Sequence, residues 1–116
     1  MRPPAPLSDL LDECERARAD ADVLTLQRLA IDGVVRARQE GDRRLGVRFE
    51  ALLAFADWRL EHAVEAQERA LAALADTDRL GTPAWRIDLR HTLAMTYTSL
   101  TAPADGLPHA HEALRI

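Results

Sequence analysis

The chain has no lysine and no asparagine, and all 15 of its basic residues are arginine. It also has a single cysteine, few glycines and an aromatic content of only 4%. One cysteine forbids a disulfide within the chain, so Cys14 reads as a small core residue of a protein kept in the reducing cytoplasm. With so few aromatic rings, the core must come from Ala, Leu and Val, which pack closely between helices more readily than between sheets. The leader MRPPAPL lacks the apolar stretch of a signal peptide, and the longest run without formal charge, 91–104, is too short to span a bilayer. A membrane partner is therefore not expected. The net charge of −4 and pI near 5.5 repel polyanions. The one basic cluster holds Arg36, Arg38, Arg43, Arg44 and Arg48, diluted by Glu40 and Asp42, and reads as a solvated helix-loop-helix surface with no nucleic-acid partner. No Gly-rich phosphate loop, Cys-x-x-Cys, Gly-x-Ser-x-Gly or His-Glu-x-x-His is present. The expectation is a chain without catalytic residues or cofactor, not an enzyme.

What is present is helical patterning. Its 116 residues suit one domain. Residues 1–7 read as an extended Pro-rich leader, because each Pro removes a donor and biases its predecessor away from the α region. Residues 8–116 read as a single helical domain. Ser8 is the expected cap of a first helix whose apolar face is Leu7, Leu10, Leu11, Cys14 and Ala17. Asp20 or Asp22 caps a second, in which Leu26, Leu29, Ala30, Val34 and Ala37 hold helical spacing up to Gly41, a suitable left-handed terminator. Gly33 within it costs about 1 kcal/mol relative to Ala and points to a close crossing by another helix. Asp42 caps a third helix through Leu45, Phe49, Leu52, Leu53 and Ala56, and a fourth carries Leu60, Ala63, Val64, Ala70, Leu71 and Leu74. No Gly or Pro divides these two, and a turn near 57–60 is required only by the usual length of globular helices. The stretch 75–83 reads as a loop, Thr82 and Pro83 start a fifth helix over about 83–100, and a sixth begins near Asp105.

Small residues recur at matching places. Ala30 and Ala37 reappear 33 residues on as Ala63 and Ala70, and Gly106 with Ala113 repeats the pair after a further displacement of 43. Leu93-Ala94-x-x-Tyr97, followed by Gly106 and then Ala113-Leu114, resembles the tetratricopeptide repeat (TPR), a 34-residue pair of antiparallel helices. The resemblance implies an all-α, TPR-like α-solenoid of about three antiparallel helix pairs, six helices in all. The phase of the second repeat stays open: Leu45-Gly46-x-x-Phe49 lies five residues too early for Ala63, whereas Ala51 and Ala54 have the spacing without the aromatic. The resemblance further implies a groove for a peptide or helix, lined by the first helix of each repeat at Arg48, Leu52 and Phe55 and at Asp88, His91, Met95 and Thr98. Lacking Lys and Asn, such a groove does not suit a carboxylate tail, and an apolar helix fits it better. Ala/Arg-rich arrays of this kind are similar to those attached to bacterial diguanylate cyclases and transcriptional regulators, which implies a regulatory or sensor role.

The last helix ends at Ile116 with Leu107, Ala110, Leu114 and Ile116 uncovered by a capping helix. Two readings follow: the chain is a piece of a longer protein, or a second copy buries this edge as a homodimer. A different class of function would be a six-helix bundle holding a metal or small ligand at His62, Glu65, His109 and Glu112, two His/Glu pairs at i,i+3. Solvated ion pairs account for that spacing more simply, and no metal site is assigned. Trp58 and Trp85 each lie near a helix end, where core packing and partner contact are both open to them.

Overall fold

The computed structural model describes residues 5–100, and places in that span five helices: α1 (Leu7–Ala19), α2 (Val23–Glu40), α3 (Arg43–Arg59), α4 (Ala63–Leu80) and α5 (Pro83–Ser99). The sixth helix, and with it Gly106, Ala113 and the edge at Leu107, Ala110, Leu114 and Ile116, falls outside the described residues. The described chain is all-helical. Three of the caps follow from residue type: the side chains of Asp22, Asp42 and Thr82 accept from the backbone N–H groups of Thr25, Leu45 and Trp85. Pro83 occupies the first turn of α5, where its missing donor costs nothing.

Two boundaries differ from those expected. Ser8 does not cap α1; Pro6 holds that position, its carbonyl accepting from Asp9 and Leu10, and the helix takes in Leu7, which is buried. Burial of Leu7 decides the start over the hydroxyl cap. The expected loop 75–83 is helix as far as Leu80, leaving Gly81 and Thr82 as the connector. Thr77 is buried in the last turns of α4, and Asp76 and Asp78 are drawn into ion pairs with Arg43 and Arg90, so tertiary contacts override the weak helix propensity of Asp-Thr-Asp.

The turns reveal the repeat. After α1 and after α3 the chain reverses in the same way: Ala21 (φ 57°) and Glu61 (φ 67°) are left-handed, and the next N–H, of Asp22 or His62, reaches back to the carbonyl of Ala17 or Asp57. The capping positions Asp22 and His62, and Asp42 and Thr82, lie forty residues apart. Burial follows the same period. Leu26, Ala30, Gly33 and Ala37 of α2 correspond to Ala66, Ala70, Ala73 and Thr77 of α4. Phe49, Leu52, Leu53, Ala54 and Ala56 of α3 correspond to Leu89, Thr92, Leu93, Ala94 and Thr96 of α5. The displacement of 33 is therefore a coincidence of alanine abundance: Ala30 is matched by Ala70, while Ala63 opens α4 and is only partly buried. The counterpart of Leu93-Ala94-x-x-Tyr97 is Leu53-Ala54-x-x-Asp57, with neither Leu45 nor Ala51 at its head.

Helix α3 is the hub. It packs against α2 and α4 and also touches α1 and α5, whereas the backbones of α2 and α4 do not approach each other closely. Cross-links show the directions: Gln27 and Arg38 near opposite ends of α2 meet Asp57 and Glu50 of α3, and Arg43 of α3 meets Asp76 of α4, so both outer helices run antiparallel to α3. Phe49, Leu52, Leu53 and Ala56 of α3 complete one core cluster with α1 and α2, and Ala51 and Ala54 complete another with α4 and α5. The close crossing expected at Gly33 is made by the fully buried ring of Phe49. Cys14 sits in the first cluster with no exposure, and burial, aided by neighbouring Glu15 and Glu13, pushes its thiol up to about 12. It should therefore resist a thiol-alkylating reagent at pH 8 in the native protein and react rapidly once denaturant is added. Labelling at the unfolded rate under native conditions would contradict this packing.

Candidate functional site

The face formed by α1, α3 and α5 gathers most of the polar residues that the resemblance assigns to a groove, but it uses them differently. Arg48 is 5% exposed and lies among acids from both neighbours. Its Nε and Nη2 donate to Glu15 Oε1 of α1 at 3.0 and 2.7 Å, and its Nη1 donates to Asp88 Oδ2 of α5 at 2.7 Å. Arg18 of α1 completes the cluster with a two-pronged contact to Asp88, at 2.6 Å to Oδ2 and 2.5 Å to Oδ1. The same guanidinium lies 4.1 Å from the centre of the Phe55 ring, so this pair bridges α1 to α5 across α3. Burial alone would raise the carboxyl of Asp88, but the hydrogen bond from Arg18 and the charges of Arg48 and Arg18 outweigh it and hold Asp88 below its ordinary value. The hydrogen bond to Asp88 in turn raises Arg18.

The expected groove residues separate into three groups. Arg48 and Asp88 are ion-paired to each other and are not free for a partner. Leu52 has no exposure and belongs to the core beneath, which corrects its placement in the groove. The forty-residue period gives the reason: Met95 corresponds to Phe55 and Thr98 to Trp58, so α3 faces outward at 55 and 58, while Ala51, the counterpart of the exposed His91, is itself buried against α4 and α5. Phe55 and its counterpart Met95 are half-buried, and His91 and Thr98 are exposed, the Thr98 hydroxyl donating to the Ala94 carbonyl at 3.0 Å.

Trp58, Trp85, Glu15 and Arg18 are the members that the sequence did not assign. Trp58 stacks obliquely on Phe55 with ring centres 5.9 Å apart, and its Nε1 donates to Ser99 Oγ at 3.0 Å. A depression of about 590 Å³ opens beside it, lined by Arg59, Glu61, Ala63 and Ser99. Trp85 underlies Arg44 at 4.6 Å and lies 5.5 Å from Arg48. The repeat period would have found Trp58 and Arg18, since both occupy the position of Thr98.

Of the basic cluster expected as a solvated surface, Arg38, Arg43 and Arg44 are exposed, and Arg48 is not. Arg48 is buried, Arg38 reaches Glu50 at 3.4 Å and Arg43 reaches Asp76 at 3.1 Å, while Arg36 approaches Glu40 and donates to the Ala5 carbonyl. His62 and Glu65 open α4 as exposed residues, their expected companions His109 and Glu112 lie outside the described residues, and no group of three metal-ligating side chains occurs among the described ones. No described helix is long and apolar enough to cross a membrane. No family model, curated protein or solved structure matches this chain.

Proposed function

We propose that the chain is a non-enzymatic, TPR-like helical-repeat domain of a regulatory protein, and that it binds a peptide or helix across α1, α3 and α5. The observation that carries this reading is the forty-residue recurrence of turn, cap and burial, with the odd-numbered helices in one layer and the even-numbered helices apart from each other. Stacked helix pairs of this kind offer extended surfaces and not enclosed pockets. The period exceeds the 34 residues of the TPR family and accommodates helices of 17 or 18 residues. The titratable groups with shifted values support a binding role over catalysis: Cys14 is sealed in the core, and Arg18 and Asp88 are committed to one another. Phe55, Trp58 and Met95 supply apolar contact for one face of a helix, and Arg44, stacked on Trp85, supplies a cation beside it.

Selection of binders from a displayed library of amphipathic helical peptides tests this. Binders should lose about tenfold or more in affinity on Trp58→Ala, the usual scale for a central aromatic contact. Binders that are unaffected by Trp58→Ala and by Arg44→Ala, and that protect amides only on α2 and α4, would overturn the assignment of the face.

A further inference from the structure

The large apolar side chains most exposed among the described residues are Leu24, Ile31, Val35, Val64 and Leu71, and all five lie on the outer helices α2 and α4. They fall on one seam of each helix. On α2 the seam runs Leu24, Arg28, Ile31, Val35, Arg38, with alternating steps of four and three, the spacing of a coiled-coil stripe. Forty residues on, α4 repeats it as Val64, Glu68, Leu71, Ala75, Asp78. Apolar positions match apolar positions, while Arg28 is replaced by Glu68 and Arg38 by Asp78. The two seams thus have the same apolar phase and opposite charge. Arg28 and Glu68 are exposed and have no ion-pair partner among the described residues, whereas Arg38 and Asp78 already touch Glu50 and Arg90.

We infer that this surface docks a second copy of the chain, with α2 of one protomer lying against α4 of the other. Both helices run the same way relative to α3. A twofold axis directed along them lays α2 beside the partner's α4 in parallel, and the same operation supplies the reciprocal contact. Leu24 then meets Val64, Ile31 meets Leu71, and Arg28 meets Glu68, twice per dimer. The furrow between α2 and α4, lined by Arg38, Val47, Glu50 and Asp76, is bounded by the two seams and lies within this interface. Charge complementarity selects a second copy over an unrelated helix, because each seam carries the countercharge of the other. This surface is separate from the α1/α3/α5 face, so either proposal can fail without the other.

Sedimentation equilibrium over micromolar to sub-millimolar concentrations tests the inference. The wild type should dimerise, and Arg28→Glu should raise the dissociation constant about tenfold or more, since it sets glutamate against Glu68 at two symmetric places. Glu68→Arg should do the same. The double variant Arg28→Glu/Glu68→Arg should return to within about threefold of wild type, which a dimer formed through any other surface would not show. Ile31→Asp should abolish association, with a thermal melt confirming that this exposed substitution leaves the protomer folded. A wild type that stays monomeric throughout, or a dimer indifferent to both single reversals, would overturn the inference.

Discussion

Gly33→Ala is expected to destabilise the protein by about 2 kcal/mol or more, although helix propensity alone would have it stabilise by about 1. The reason is the ring of Phe49. A Cβ on residue 33 would stand 2.5 Å from Phe49 Cε1 and closer still to Cδ1 and Cγ, inside any real carbon–carbon contact. The ring cannot retreat, because it has no exposure and is packed with Leu26, Ala30, Leu52 and Leu53 in one cluster. The helices must part, and α2 and α3 lose contact along their length. Chemical denaturation reads this directly as a lower midpoint. Phe49→Leu should relieve the clash, so Gly33→Ala combined with Phe49→Leu should cost less than the two single changes added together. A Gly33→Ala variant as stable as wild type would mean that α2 and α3 do not cross as closely as described.

That crossing is legible in the sequence, because a glycine inside an otherwise regular helix weakens it and is tolerated where a neighbour needs the space of the missing side chain. The caps at Asp22, Asp42 and Thr82 are legible for a similar reason: each depends on a side chain bonding three residues away. The repeat period is not. It is carried by the turn that recurs at Ala21 and Glu61, neither of which announces itself by type, whereas Gly81, forty residues after the left-handed Gly41, is extended. With the recurring turn unmarked, the abundant alanines support several self-consistent spacings, and 33 is one of them. The site shows the same division. Arg48, Phe55, Asp88 and Met95 come from the resemblance laid along α3 and α5, whereas Glu15 and Arg18 enter through contacts with helices 33 and 70 residues away, and only the forty-residue period, not a local pattern, would have placed them on this face. Leu52 escapes a single-face rule because α3 is enclosed by four other helices, so its apolar residues point inward on more than one side.

Asp88→Asn should cost about 2–3 kcal/mol, more than the loss of Arg18, because the cation left behind is the buried one. In the wild type Asp88 shares its carboxylate between Arg48, whose side chain is 5% exposed, and Arg18, which is 25% exposed. Removing the charge leaves Arg48 with Glu15 alone, and Glu15 is 41% exposed, so water screens that pairing; the figure sits below the usual range for a broken buried pair for that reason. Arg18→Met leaves Asp88 still paired with Arg48 and keeps apolar contact over Phe55, so about 1 kcal/mol is expected. The pH dependence distinguishes a charge effect from a packing effect. Arg18 and Arg48 hold the carboxyl of Asp88 below its ordinary value in the folded state, so its contribution is present above about pH 4, the unfolded value, and is lost as pH falls through the lower folded value. Wild type should therefore lose stability on acidification below about pH 4 more steeply than Asp88→Asn, and the two stability curves should converge there. Parallel curves over that range would show that the carboxylate contributes by shape and not by charge.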